Sequence, residues 1–252
     1  MRFKGQVVFI TGAGSGMGWE FAKSFAGEGA MVAAFDLSAE SLARLAGEIR
    51  KDGGWIETVT GDAACWEDVD RAIATTIARF GKLNVLINNA GITGSQEATL
   101  LHSTPMEEWE QVMKVNIRGV YLFSKRAIVE MLSRGGGKIV NVASVAGLVA
   151  FPGRAAYTTS KGAVVQMTRS MAVDYAKNNI QVNAICPGMV ETPMTQWRLS
   201  DPELRAHVLS KIPAGRVGYP GDFVEPVMFL CSPGADYMTG QTLVVDGGWS
   251  AW

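Results

Sequence analysis

Seven apolar runs alternate with six helical stretches along this chain, and that alternation constrains the fold more than any other feature. The runs lie near 7–11, 31–36, 55–60, 83–88, 138–143, 180–186 and 241–245; helical patterning fills 17–28, 39–51, 66–80, 106–133, 154–177 and 222–231. Strands joined through helices pair in parallel, and a parallel sheet has to be covered on both faces. The expectation is one α/β domain over 1–252, a mostly parallel seven-stranded sheet with helices on both faces. Ligands should then bind at the carboxyl ends of the strands. With 23 basic and 24 acidic residues the net charge is −1, which offers no surplus for nucleic acid or an anionic membrane. Cys65, Cys186 and Cys231 are isolated and read as buried, reduced thiols. No secretory leader or membrane-length apolar run is legible, so a cytoplasmic protein is expected.

The first run leads into a glycine-rich turn, Val7-Val-Phe-Ile-Thr11-Gly12-Ala-Gly14-Ser-Gly16-Met-Gly18. Glycines let a backbone approach a pyrophosphate, and a following helix offers free N–H groups at its positive end. The strict Gly-x-Gly-x-x-Gly string is absent; the spacing is Thr-Gly-x-x-x-Gly-x-Gly, which a plain strand-to-helix turn could also carry. The next strand, Met31-Val-Ala-Ala-Phe-Asp36, ends in an acid that can accept both ribose hydroxyls of an adenosine. Together these features point to a Rossmann-like, doubly wound domain.

Further along stand Ser144, Tyr157 and Lys161. Tyr157 and Lys161, four apart, share one face of a helix. A free phenol titrates at about 10, and a fixed positive charge beside it would lower that value. The pair reads as an acid/base device for a hydroxyl or carbonyl substrate. Ser144 lies in Val-Ala-Ser-Val-Ala rather than Gly-x-Ser-x-Gly, which argues against a serine hydrolase. His102 and His207 are the only histidines and are far apart, so no metal site is expected.

Taken together, these motifs make the chain similar to the short-chain dehydrogenase/reductase family over essentially its whole length. Gly12, Gly16 and Gly18 match the family's coenzyme loop; Asp62, after Thr58-Val-Thr-Gly, matches the acid that contacts the adenine. Asn88-Asn-Ala-Gly91 matches the motif on the cofactor side of the fourth strand, Asn116 the helical active-site Asn, and Pro187-Gly188 with Thr192 the segment beside the nicotinamide. The resemblance implies a cofactor site made of Gly12, Ser15, Gly16, Met17, Gly18, Asp36, Leu37, Asp62, Ala63, Asn89, Ala90, Gly91, Tyr157, Lys161, Pro187, Gly188, Val190 and Thr192. It implies that Tyr157 is general acid and base, that Ser144 binds the substrate oxygen, and that Lys161 tunes Tyr157 and holds the nicotinamide ribose. Asn116 would hold a water linking Lys161 to solvent, unless it merely bonds its own helix backbone. Asp36 would repel the extra phosphate of NADP, and Ser15 and Leu37 stand where NADP-preferring relatives carry a base, so NAD is expected. The competing possibility is that Arg44 or Lys23 folds back to neutralise that phosphate.

The expected activity is interconversion of a secondary alcohol and a ketone. Two other readings are an NADPH-dependent 3-oxoacyl carrier-protein reductase, with Arg126, Arg134 and Arg169 as a docking patch, and a non-catalytic nucleotide-sensing protein. The substrate pocket is expected near Ser95, Gln96, Val145, Ala146, Leu148, Phe151, Arg154, Met189, Met194 and Trp197, with Gln96, Ser144, Arg154, Met194 and Trp197 as the substrate contacts. Arg154 could pair with a substrate carboxylate, although a solvated arginine at a helix start, or an ion pair with a neighbouring subunit, is the commoner case and the preferred expectation. The segment 187–220, rich in proline and glycine, reads as an irregular, mobile substrate lid. The resemblance implies a homodimer or homotetramer built on the long helices and the last strand, with Trp249 and Trp252 plausibly buried at a subunit contact.

Overall fold

The computed structural model describes residues 1–95, 97 and 99–251. The strands β1 (Val7–Thr11), β2 (Met31–Asp36), β3 (Trp55–Thr60), β4 (Val85–Asn88), β5 (Gly137–Val142), β6 (Ile180–Pro187) and β7 (Thr242–Val245) form one sheet in the order β3-β2-β1-β4-β5-β6-β7. Every pairing is parallel, so the expected mostly parallel sheet has no antiparallel member. The order reverses between β1 and β4, which opens a crevice at their carboxyl ends.

Side chains alternate across the strands and divide the core in two. Val8, Ile10, Val32, Ala34 and Ile87 pack against α1 (Gly16–Gly27), α2 (Ala39–Lys51) and a C-terminal helix over Val224–Cys231. Val7, Phe9, Ala33, Phe35 and Leu86 face α3 (Trp66–Phe80) and two long helices of the opposite layer. Phe123 from one of those helices sits 5.2 Å from Phe9 and 5.0 Å from Phe35, ring centre to ring centre, and fixes the spacing of that layer.

The helical stretch read as 106–133 is not uniform. It runs as α4 (Met106–Met113), one π-helical turn (Lys114–Arg118) and α5 (Gly119–Ser133). The next helix, α6 (Ala155–Tyr175), packs beside α5. A buried polar chain ties both helices to the sheet. Asn88 on β4 donates to Ser124 on α5 (3.0 Å) and to Asn141 on β5 (2.8 Å), and Asn141 donates to Thr168 on α6 (2.8 Å).

Four expectations change. The 187–220 segment is not irregular throughout: it carries α7 (Gln196–Leu199) and α8 (Pro202–Leu209). Pro202 reads as a breaker, but it occupies the first helical turn, where its missing N–H costs nothing, and Asp201 caps the N–H groups of Glu203 and Leu204. The helix near 222–231 splits into a 3₁₀ turn at Pro220–Phe223 and α9 (Val224–Cys231). Cys65 is half-buried rather than buried, because it sits at the start of α3 with its thiol on the Glu67 carboxylate (3.1 Å). Trp249 packs within its own chain, 5.3 Å from the Phe151 ring; Trp252 lies outside the described residues.

Replacing Asn141 with Ala should cost about 1–3 kcal/mol of unfolding free energy, because Asn88 loses an acceptor and Thr168 a donor inside the core. Chemical denaturation measures it, and a change below about 0.5 kcal/mol would show that the chain is not under load.

Candidate active site

The carboxyl ends of β4, β5 and β6 and the start of α1 border one open cleft, whose free space together with the solvent at its mouth is about 1020 Å³. Its floor is fixed where β1 and β4 end. The Thr11 hydroxyl accepts the N–H groups of Asn89 (2.9 Å) and Ala90 (3.0 Å), while the Asn89 amide donates to the carbonyls of Thr11 and Gly12, each at 3.0 Å. This clasp leaves no room beside it: a Cβ on Gly18 would stand 2.1 Å from the Gly12 carbonyl oxygen. Gly12 and Gly16 also take φ of +65° and +54°, a region costly for other residues. Ser15 makes no side-chain cap, so the first-turn N–H groups of α1 are left for a ligand. Backbone N–H groups at a positive helix end, next to glycines, suit a pyrophosphate.

Asp36 stands at the edge of this cradle. Its carboxylate accepts the N–H groups of Gly14 (2.8 Å) and Ser38 (2.9 Å), which spends about two of roughly four acceptor sites and leaves the others for ribose hydroxyls. Leu37 beside it is exposed. The two bases that could have served a phosphate there are engaged elsewhere: Arg44 lies 5.0 Å from the centre of the Trp19 ring, and Lys23 bonds Glu48 at 2.8 Å. Asp62 accepts the Ala64 N–H and pairs with Lys114 at 3.2 Å, and Ala63 is buried next to Gly119. The crevice therefore has the backbone donors and acceptors to hold a dinucleotide.

Ser144, Tyr157 and Lys161 meet on one wall of the cleft. Ser144 follows β5 in extended backbone; its Oγ accepts the Ala146 N–H at 3.1 Å and donates to the Pro187 carbonyl at 3.5 Å. Tyr157 and Lys161 lie one turn apart on α6. Lys161 is buried, donates to the Val142 carbonyl at 2.8 Å, and sits 5.8 Å from the centre of the Tyr157 ring. Burial pulls its ammonium down to about 8. The Tyr157 phenol moves the other way. Burial pushes it above its ordinary value, and a hydrogen bond with Ser144 works against that rise. The expected lowering of Tyr157 by Lys161 is therefore not met in the ligand-free protein: desolvation dominates the phenol, and one of the three ammonium donors is directed to the Val142 carbonyl. Cys186 lies under the same wall, its thiol pushed up to about 11 by burial.

Asn116 falls in the π-helical turn and is fully buried. Its Oδ1 accepts the Ile92 N–H (2.8 Å), and its Nδ2 donates to the Ile92 carbonyl and the Ser160 hydroxyl, each at 2.9 Å. It bonds neither its own helix nor a free site. It pins the segment following Gly91 to α6, and only one Oδ1 lone pair remains for a water.

At the substrate end, Val145, Ala146, Phe151, Arg154, Met189, Met194 and Trp197 line the cleft as expected, whereas Ser95 and Leu148 do not. Gln96 lies outside the described residues. Arg154 is not a solvated arginine: it is half-buried at the N-terminal cap of α6, donates to the Ser95 carbonyl, and lies over the Trp197 ring at 5.5 Å. Sequence reading missed Arg198 and Trp249, which also line the cleft. Arg198 adjoins the expected Trp197, but nothing in the spacing puts it on the pocket side; Trp249 was expected at a subunit contact.

The chain matches the family model described as enoyl-(acyl carrier protein) reductase over residues 12–250. It is 51% identical to the 2-(R)-hydroxypropyl-CoM dehydrogenase of Xanthobacter autotrophicus, covering 98% of this chain and 99% of that one. It is 38% identical to a 3-oxoacyl-[acyl-carrier-protein] reductase of Thermotoga maritima, over 98% and 99% of the two chains. Among solved structures it is similar to a gluconate 5-dehydrogenase of Burkholderia cenocepacia in complex with NADP and tartrate, with a TM-score of 0.94, 35% identity, and 100% and 97% of the chains covered.

Phenolate absorbance, compared between the wild type and Tyr157→Phe, should place the Tyr157 titration above 10.0 in the ligand-free protein, and Ser144→Ala should move it higher still. A titration below 10.0 would mean that a neighbouring charge, and not burial, governs the phenol.

Proposed function

The chain belongs to the short-chain dehydrogenase/reductase family, and from that premise we propose that it interconverts a secondary alcohol and a ketone using a bound nicotinamide dinucleotide. The observation that carries the reading is the convergence of Ser144, Tyr157 and Lys161 on one wall of the cleft, facing a glycine cradle suited to a pyrophosphate. Gly12, Gly16, Met17 and Gly18 would hold the pyrophosphate, Asp36 and Leu37 the adenosine ribose, Asp62 and Ala63 the adenine. Asn89, Ala90 and Gly91, with Pro187, Gly188, Val190 and Thr192, would hold the nicotinamide end. The dinucleotide, when bound, supplies or accepts the hydride.

The protein's own part is to position the substrate and move its proton. Ser144 holds the substrate oxygen next to the Tyr157 hydroxyl. With its phenol raised, Tyr157 is protonated at neutral pH and ready to donate to a carbonyl oxygen; alcohol oxidation requires the phenolate. Lys161, 5.8 Å from the centre of the Tyr157 ring, would hold the nicotinamide ribose of the dinucleotide and stabilise that phenolate while it carries charge. Asn116 keeps the Gly91–Ile92 backbone and α6 in register. The 187–220 segment acts as the substrate lid, and exposed apolar side chains on α5 and α6, among them Val129 and Val173, suit a homodimer or homotetramer measurable by light scattering.

NAD is the proposed coenzyme. The support is the Asp36 carboxylate at the ribose and the engagement of Arg44 and Lys23 by other partners. A carrier-protein reductase is the weaker reading, because Arg126, one of its supposed docking bases, is tied to Asp70 and Glu130, each at 2.7 Å.

Coenzyme-absorbance assays with secondary alcohols, ketones and 3-oxoacyl thioesters should give NAD-linked turnover with at least about tenfold higher kcat/KM than NADP, a difference of about 1.4 kcal/mol. Turnover with NADPH and acyl thioesters alone would overturn the reading. Oxidation should rise with pH as Tyr157 loses its proton, and reduction should fall; Tyr157→Phe should lower both by at least about a hundredfold, and Lys161→Met should move the limb to higher pH.

A further inference from the structure

The turn after β7, the edge strand of the sheet, reaches back into the cleft and places Trp249 in the lining that also holds Ser144 and Tyr157. Two clasps fix that turn. The Asp246 carboxylate accepts the N–H groups of Gly248 and Ser250, each at 2.8 Å, and the Ser250 hydroxyl at 2.6 Å, so both neighbours of Trp249 are tied to one side chain. The Gly247 carbonyl accepts the Ala214 N–H at 2.9 Å. Gly247 and Gly248 take φ of +66° and +90°, and a Cβ on them would stand 2.8 Å from Ile212 and 3.0 Å from Pro213. The turn is therefore docked on the end of the segment after β6, and the place of the indole is built in. The half-buried Trp249 ring packs against the Leu199, Val208, Ile212 and Val217 cluster and meets Phe151, 5.3 Å centre to centre.

We propose that Trp249 is a specificity-determining residue: with Phe151 it forms a rigid wall that limits the size of one of the two substituents on the alcohol carbon. The proposal rests on the alcohol–ketone reading above and deepens it. A substrate whose oxygen is held by Ser144 and Tyr157, and whose reacting face lies against the nicotinamide, sends its two substituents in different directions along the cleft. The substituent that meets the Phe151–Trp249 pair meets two rings from different loops that brace each other. An indole has only two rotatable bonds, and the backbone on both sides of this one is tied down. Met189 and Met194 of the same lining have three rotatable bonds and can reshape around a longer chain. The paired rings cannot, so an added methylene on their side is rejected by crowding rather than accommodated.

Pentyl methyl, pentyl ethyl and pentyl propyl ketone share one chain and differ only in the other substituent. They test the proposal when assayed with coenzyme on the wild type, Trp249→Phe and Trp249→Ala. The expected result is a fall in kcat/KM of at least about tenfold for each added methylene in the wild type, about threefold or less in Trp249→Ala, and an intermediate fall in Trp249→Phe. Trp249→Phe keeps a ring against Phe151 and remains informative if Trp249→Ala does not fold. A wild type that takes all three ketones equally would overturn the proposal. So would variants that lose activity on all three by one common factor, which would mean that the indole only braces the segment after β6. Calorimetric titration of the coenzyme-bound protein with the matching pentyl methyl, ethyl and propyl sulfoxides, which are shaped like the ketones and accept no hydride, separates the wall from the reading it rests on. Size discrimination in sulfoxide binding that Trp249→Phe relaxes, without turnover of any ketone, would retain the wall and remove the alcohol–ketone function. Turnover whose size dependence no Trp249 variant alters would keep the function and remove the wall.

Discussion

The junction of Thr11 with Asn89 and Ala90 is the constraint on which the cleft depends. One hydroxyl and one carboxamide satisfy four backbone groups at the point where the strand order reverses. Because those groups are bonded to each other, the loop after β1 and the loop after β4 approach within contact, and Gly18 can carry no side chain. The start of α1 is thereby held uncapped and aimed into the crevice. The walls that carry Ser144, Tyr157 and Lys161 are anchored to the same frame by the Asn88–Asn141–Thr168 chain.

The fold was legible because its determinants are periodic. Alternating apolar residues in β1 and β2 and the i, i+4 pair Phe21 and Phe25 dictate which faces are buried, and tertiary packing follows them. The positions of Ser144, Tyr157, Lys161 and Asp36 were legible because each needs a specific chemical type at a fixed place, Asp36 and Ser144 at strand ends and Tyr157 and Lys161 one turn apart on a helix. What the sequence concealed depends on geometry without a compositional trace. The π-helical turn around Asn116 inserts no unusual residue; it arises where one side chain bonds the Ile92 backbone and Ser160 at once. Pro202 reads as a breaker and acts as a helix start. Arg198 is an ordinary residue until α7 turns it toward Trp197.

The electrostatics of the cleft divide along its length. Near α6 the phenol and the ammonium are both moved toward their neutral forms by burial, so proton transfer rests on small changes in solvation and charge. Toward α7 the guanidiniums have no neutral form to adopt, and their charge persists at any ordinary pH. One end is tunable and the other fixed.

The excursion after β6 keeps its own small apolar cluster, Leu199, Val208, Ile212 and Val217, apart from the two cores that flank the sheet. Mutations there can therefore accumulate without disturbing β5 and α6, which position Ser144 and Tyr157. In evolutionary terms the chain is modular: a lineage can retool its selectivity by drift in a few dozen residues while inheriting its proton-handling apparatus unchanged.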